Sequence, residues 1–318
     1  MSDERRYQIE RDSSQIKMMT NIRALPKRII LSRKGWDSSA GGNASPIFPG
    51  DIMMSLPIPD CRSEICYDNL TFPDGSRVDG TVGEIVEQLS NGRLSRITEV
   101  HLDPDLRPNS IERRTFQPAF GQCGRSQSHL KNKGIRKETA GSDADLFLFF
   151  GLYRKVVHEA KRWRYDQRAS AMHVIFGWLQ VGLIYNLPDD PVPDSLRSHP
   201  HAIPSFIVSN ELVRLKKKNN TIYCAREHLT FKPGLGGAGL FGRFDPDRKL
   251  TKNEQNKARL WRIPSFFENL SNMGDQPPPR DGFWEPERRG PGQEFVLNLE
   301  DDQPEVLHWL ENLFKKVQ

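Results

Sequence analysis

No stretch of this 318-residue chain comes near the ~18 consecutive apolar residues that a membrane-spanning helix needs. The densest apolar run, Leu146–Leu152, is far shorter. The opening MSDERRYQIERD is charged throughout and lacks the apolar core of a secretory signal. Cysteine is scarce as well: Cys61, Cys66, Cys123 and Cys224 are too few and too scattered for a disulfide framework. Cys61 and Cys66 stand at C-x4-C spacing with no second half to complete a zinc site. The expectation is a cytoplasmic protein with reduced thiols and no membrane partner. No glycine fingerprint for nicotinamide or flavin occurs, and no glycine run matches a Walker loop. The cofactor is left unknown on these grounds.

What is present is polar. Hydrophobic residues make up 36% of the chain, and its mean hydropathy is −0.64. A chain of this length can bury roughly three quarters of its unfolded surface, so part of the polarity belongs in tails and long loops. Lysine and arginine number 46 against 41 aspartates and glutamates, and the net charge of +5 is only a mild fit to a polyanionic partner. Residues 1–26 read as a polar extension, and 27–318 as one α+β domain. Strands are expected at Arg28–Ser32, Ile52–Leu56, Ile97–Leu102, Asp145–Phe150, Met172–Gly182, Ser205–Val208 and Thr221–Ala225. Thr81-Val-Gly-Glu84 is a capping box that places a helix over 82–90, ahead of Asn91-Gly92. A short helix is expected over Ser126–Asn132 and a long loop, rich in proline and glycine, over 270–293. A last helix over 303–317 would be capped by Asp302, with Val306, Leu307, Leu310, Leu313, Phe314 and Val317 as its apolar stripe. Short strands outnumber helices and do not alternate regularly with them. That favours a mixed, mainly antiparallel sheet with a few flanking helices over a doubly wound parallel sheet.

Four constellations carry chemistry. The first, Ser32–Gly42, runs from a strand into Arg33, Lys34 and a loop holding Ser38, Gly41 and Gly42. Its backbone N–H groups and two cations suit a phosphate, with Asp37 as a base or sugar ligand. The alternative is a turn loop that Asp37 caps locally. The second is His101-Leu-Asp103-Pro-Asp105-Leu-Arg107. Strand alternation puts His101 opposite Val100 and Leu102, so His101 and Asp103 can do general acid–base work while Arg107 forks onto a phosphate. A divalent metal is the other functional version, but three ligands this close around a proline rarely converge without outside help. A strand end with a surface salt bridge is the bland version. Third, Gln122 precedes a helix containing His129; Gln122 can read a base edge, and His129 can face the same site or be an ordinary helix-face histidine. Fourth, Lys155, Lys161, Arg162, Arg164 and Arg168 interleave with Trp163 and Tyr165. This suits a backbone-tracking surface with base stacking, or at least as well a solvated hairpin extension. His199-Pro-His201 is similarly open.

ILSRKGWDSSAGGNASPIFPG with SLPIPD, HLDPDLR, and FGQCGRSQSHL leading into DLFLFFG and HVIFGWLQVG together resemble the nucleotide modification-associated domain family 3. The likeness spans about residues 27–317. It implies association with bacterial and phage systems that make modified bases in DNA, and hence DNA or a nucleotide, and other DNA-modification proteins, as partners. DLFLFF and HVIFGWLQV also resemble the paired strands of PUA-like barrels, which include readers of modified bases. The expected function is an enzyme acting on a nucleotide or DNA base by group transfer or hydrolysis. The alternatives are a non-catalytic reader with an aromatic cage, and a scaffold subunit that docks through its last helix or the 270–293 loop.

Overall fold

The computed structural model describes residues 24–37, 40–135, 144–187, 189–203, 219–252, 258, 260–269, 271–272, 283–285, 294–300 and 303–317. Two long strands, Leu146–Glu159 and Met172–Leu187, form the spine. Both outrun their expected bounds: the first runs into the basic segment expected between them, and the second continues to Leu187 in pairing with Asn220–Ala225. Val156–Glu159 doubles back onto Arg162–Tyr165. Ala160 and Lys161 make that turn with φ of 50° and 61°, as the twist of a two-residue hairpin loop requires.

The spine strands pair antiparallel from Leu146↔Gln180 to Tyr153↔Met172, with a register shift between Phe149 and Phe150. Arg28–Arg33 lies parallel to Leu146–Phe150 and antiparallel to Glu294–Asn298. On the other flank Asn220–Ala225 and then Ala119–Gln122 extend the sheet. The result is α+β, with a mixed and mainly antiparallel sheet. It runs open from Ser271–Asn272 to Ala119–Gln122 and does not close into a barrel.

Alternation sends the spine's side chains into two separate cores. Leu146, Leu148 and Phe150 join Ile29 and Leu31 on one face, while Phe147, Phe149 and Tyr153 join Ile30, Phe120 and Tyr223 on the other. A sheet covered on both faces needs continuously apolar strands, which Leu146–Phe150 supplies. The helix Pro304–Leu313 covers the first face with Val306, Leu310 and Leu313. Its N-cap is Gln303, not Asp302, which lies outside the described residues. Burial of each such side chain contributes about 1.5–3 kcal/mol. The stripe therefore belongs to the chain's own core, which counts against docking through this helix. Leu130, from the helix Gly124–Asn132, packs on the second face.

A third apolar cluster joins the helix Val82–Leu89 to Trp36, Tyr67 and Trp163. The capping box closes as expected: Glu84 N–H donates to Thr81 Oγ1 at 3.2 Å, and Thr81 N–H to Glu84 Oε2 at 2.7 Å. Two expected strands shorten, to Ile52–Met53 and Val100–His101. In the second, Val100 is 0% exposed and Ile97 is 76% exposed, so no apolar face is buried before residue 100. Ser45–Phe48, to which the sequence pattern assigns no element, is a buried strand beside Tyr153–Lys155. Ser205–Val208 lies outside the described residues, as does most of 270–293. Within the latter, Ser271–Asn272 and Phe283–Trp284 are short strands rather than loop. No helix among the described residues is long and apolar enough to cross a membrane.

Candidate functional site

At one rim of the sheet, strand ends far apart in sequence enclose a cleft of about 330 Å³. Lys34, Asp60, Arg62, His101, Asp103 and His201 line it. His101 reaches it because Val100 takes the core side of their short strand, which pairs with Ile58–Pro59. That pairing brings up Asp60, whose Oδ2 lies 3.0 Å from His101 Nδ1. Arg62 clamps the same carboxylate in a fork, with Nε to Oδ1 at 2.7 Å and Nη2 to Oδ2 at 2.8 Å.

His199 and His201 arrive on a short 3-10 turn, Pro200–Ala202. His201 Nε2 stands 3.3 Å from His101 Nε2, while its Nδ1 lies 2.7 Å from Asn220 Oδ1. His199 Nδ1 accepts from the His201 N–H at 3.3 Å, leaving His199 Nε2 3.4 Å from Asp103 Oδ1. The Gly121 N–H donates to the same Asp103 oxygen at 2.7 Å. Only glycine fits at 121, since a Cβ there would come within 2.3 Å of the His201 ring.

Beneath this group lies Lys34, with Nζ 3.9 Å from Asp103 Oδ2, 3.7 Å from Glu294 Oε1 and 4.3 Å above the Phe120 ring centre. Glu294 Oε1 also accepts from Ser32 Oγ at 3.1 Å and from Gln122 Nε2. Burial pushes the Glu294 carboxyl up to about 7 despite Lys34, Ser32 and Gln122. Burial opposes ionisation of Asp103 too, but His199 and the Lys34 charge hold its carboxyl well below the usual range. Asp60 is likewise held low against its burial, by His101 and Arg62. Burial drives His201 down to about 3, so its imidazole is neutral at physiological pH.

The residues expected at a site fall into two groups. Arg33, Lys34, His101, Asp103 and Gln122 all line this cleft. Gln122, however, spends its amide on Glu294 and on the Cys123 N–H, which reaches its Oε1 at 3.1 Å; it positions a carboxylate rather than offering a free edge. The others lie elsewhere. Asp37 is buried, paired with Arg33 Nη2 at 3.1 Å and accepting the Ala40 N–H at 2.8 Å, so it ties its own loop. Gly41 and Gly42 adopt positive φ, and a Cβ on either would strike Trp36 or Arg93. Ser38 lies outside the described residues. Arg107 Nη1 donates to the Phe72 carbonyl at 2.8 Å, in a neighbouring pocket of about 60 Å³. His129 sits on the helix Gly124–Asn132 with its pKa lowered by burial and by Lys133, away from the cleft lining.

Sequence reasoning missed Asp60, Arg62, Asn220 and Glu294. It left His199 and His201 undecided, although two histidines flanking a proline were the one visible signal. His101, Asp103 and His201 each offer a ligand atom within 4.8 Å of the others. His201, a hundred residues along the chain, is thus the neighbour that the segment His101–Arg107 lacked by itself.

The described residues thus place a cleft of charged and imidazole groups at the edge of an open α+β sheet. The family model described as nucleotide modification associated domain 3 matches residues 28–298, and the chain belongs to that family. No curated protein and no solved structure matches it.

Proposed function

We propose that the chain is an enzyme acting on a nucleotide or a base in DNA, by group transfer or hydrolysis, within the cleft beside His101. One observation carries this reading: an imidazole held by a carboxylate faces a second, neutral imidazole across a cleft floored by Asp103 and Lys34. Asp60 fixes the His101 proton on Nδ1 and leaves Nε2 as the atom that exchanges a proton with substrate. Lys34, Arg33 and the Arg62 rim supply positive charge for phosphate or for negative charge developing on a base. The cleft lining among the described residues has no phenylalanine, tyrosine or tryptophan. An aromatic cage for a passive reader is therefore not what this site offers. The test is nucleoside mass spectrometry of DNA from cells carrying the intact gene or the His101→Ala variant. A modified nucleoside should vanish in the variant while the soluble protein level holds; unchanged composition would remove His101 from the chemistry.

A further inference from the structure

The two facing histidines pose a problem of like with like. Asp60 Oδ2 and Asn220 Oδ1 are both acceptors, so Nδ1 of His101 and Nδ1 of His201 carry the protons. The Asn220 orientation is fixed independently, because its Nδ2 donates to the His201 carbonyl at 2.9 Å. An imidazole that ligates a metal carries its single N–H on the other nitrogen, so with both protons on Nδ1 each Nε2 offers a lone pair, and the two are 3.3 Å apart. Lone pairs at that separation repel unless a cation stands against both. Tetrahedral ligation with bonds of about 2.0–2.1 Å separates neighbouring nitrogens by about 3.3–3.4 Å, which matches the distance between these rings.

We infer that His101, His201 and Asp103 bind one divalent transition-metal ion of the zinc type at the floor of the cleft. Two imidazoles and a carboxylate suit zinc, iron or cobalt better than magnesium or calcium, which favour all-oxygen shells. Asp60 and Asn220 stand behind the ligands and fix each ring's tautomer and plane, as outer partners do at histidine metal sites. Asp103 brings the negative charge, with His199 and the Gly121 N–H steadying its other contacts. The positive groups lining the cleft each have an acidic partner: Arg62 on Asp60, Lys34 between Asp103 and Glu294, and Arg33 on Asp37. Three protein ligands leave a position for water or substrate, the arrangement of catalytic rather than structural zinc. The proposal deepens the enzyme reading of this cleft: His101 then acts through the bound ion instead of exchanging the proton itself.

The test titrates the chelator-stripped 318-residue chain with Zn²⁺ by calorimetry and records the visible spectrum with Co²⁺. One ion per chain and cobalt bands of four-coordinate ligation are expected. His101→Ala and His201→Ala should each weaken Zn²⁺ binding by more than about 100-fold, and Asn220→Ala by about 10- to 100-fold. His228→Ala, at an exposed histidine outside the cleft, should change nothing. Should a buried-histidine variant fail to fold, the wild-type stoichiometry and cobalt spectrum decide alone. Uptake of neither ion by the wild type overturns the proposal, as does wild-type affinity in folded His201→Ala; a shared proton is then the cation between the rings. Binding is read without turnover, so the two readings fail separately. One bound ion with unaltered cellular nucleosides keeps the metal site and sinks the enzyme, and the reverse result does the opposite.

Discussion

The cleft beside His101 and the hairpin over residues 154–168 both mix cations with flat rings, yet they arrange them in opposite ways. In the hairpin Arg162 and Arg164 are exposed, while Trp163 is buried, donates to the Asp79 carbonyl at 2.9 Å and stacks on His158. Tyr165 donates to the Ala44 carbonyl. The rings there are core, and the cations spread into solvent. In the cleft Arg62 is exposed at the rim, but Lys34, Asp60 and Asp103 have largely buried side chains, all four are paired, and all line one space. A residue inventory cannot separate these cases; burial and direction do.

The sharpest way to break the contrast is chemical. His101→Ala should cut the yield of modified nucleoside by about 10²- to 10⁴-fold, the usual range for losing a general acid–base group. Arg162→Ala with Arg164→Ala should leave that yield intact, as mass spectrometry would show. A comparable loss from the hairpin pair would make both regions functional. Next in size, Trp163→Ala should cost about 3–5 kcal/mol in urea unfolding, because it empties a packed site. If stability held and only DNA binding fell, the ring would be a stacking platform instead. Gly121→Ala should destabilise by about 1–3 kcal/mol through overpacking against His201, with chemical unfolding again the measurement.

The smallest expected effect is one of pH. His173 accepts from Trp261 Nε1 at 2.8 Å, and burial drives its pKa down to about 3. Between that value and the ordinary 6.5, the unfolded chain binds the extra proton and the native chain does not. The contribution is complete above pH 6.5 and is lost as pH falls toward 3, by up to about 1.4 kcal/mol per unit. His173→Asn keeps an acceptor for Trp261 and should flatten that slope in unfolding midpoints taken at pH 7, 6 and 5.

Much of the scaffold was legible because it is written in local pattern. Leu146–Phe150 and Ile29–Leu31 are apolar without interruption, and Thr81 with Glu84 announces its helix. The site was legible only in part, for a reason of distance. His101 and Asp103 stood out as a cluster, but Asp60, Asn220 and Glu294 acquire meaning only once folding lays them against partners elsewhere. Asp37, Gly41 and Gly42 stand outside the cleft lining for the converse reason: a short-range turn uses the same residue types as an anion loop, and Asp37 has its contacts within that turn. The basic segment between the two spine strands is the hairpin that one of its two readings expected, with cation and aromatic alternating along Arg162–Tyr165.

Glu294 comes to its place from very far along the chain, 262 residues after the Ser32 hydroxyl that it binds. The strand carrying it, Glu294–Asn298, also closes one side of Arg28–Arg33. During biosynthesis the first strand can pair with Leu146–Phe150, and Lys34 with Asp103, well before Glu294 is made; the strand's other flank and the second carboxylate beside Lys34 must wait for residues 294–298. Such non-local pairing is slow to form. A truncation that stops short of Glu294 forfeits an edge of the sheet and the electrostatics of the cleft in a single cut, so assembly and chemistry here share one last step.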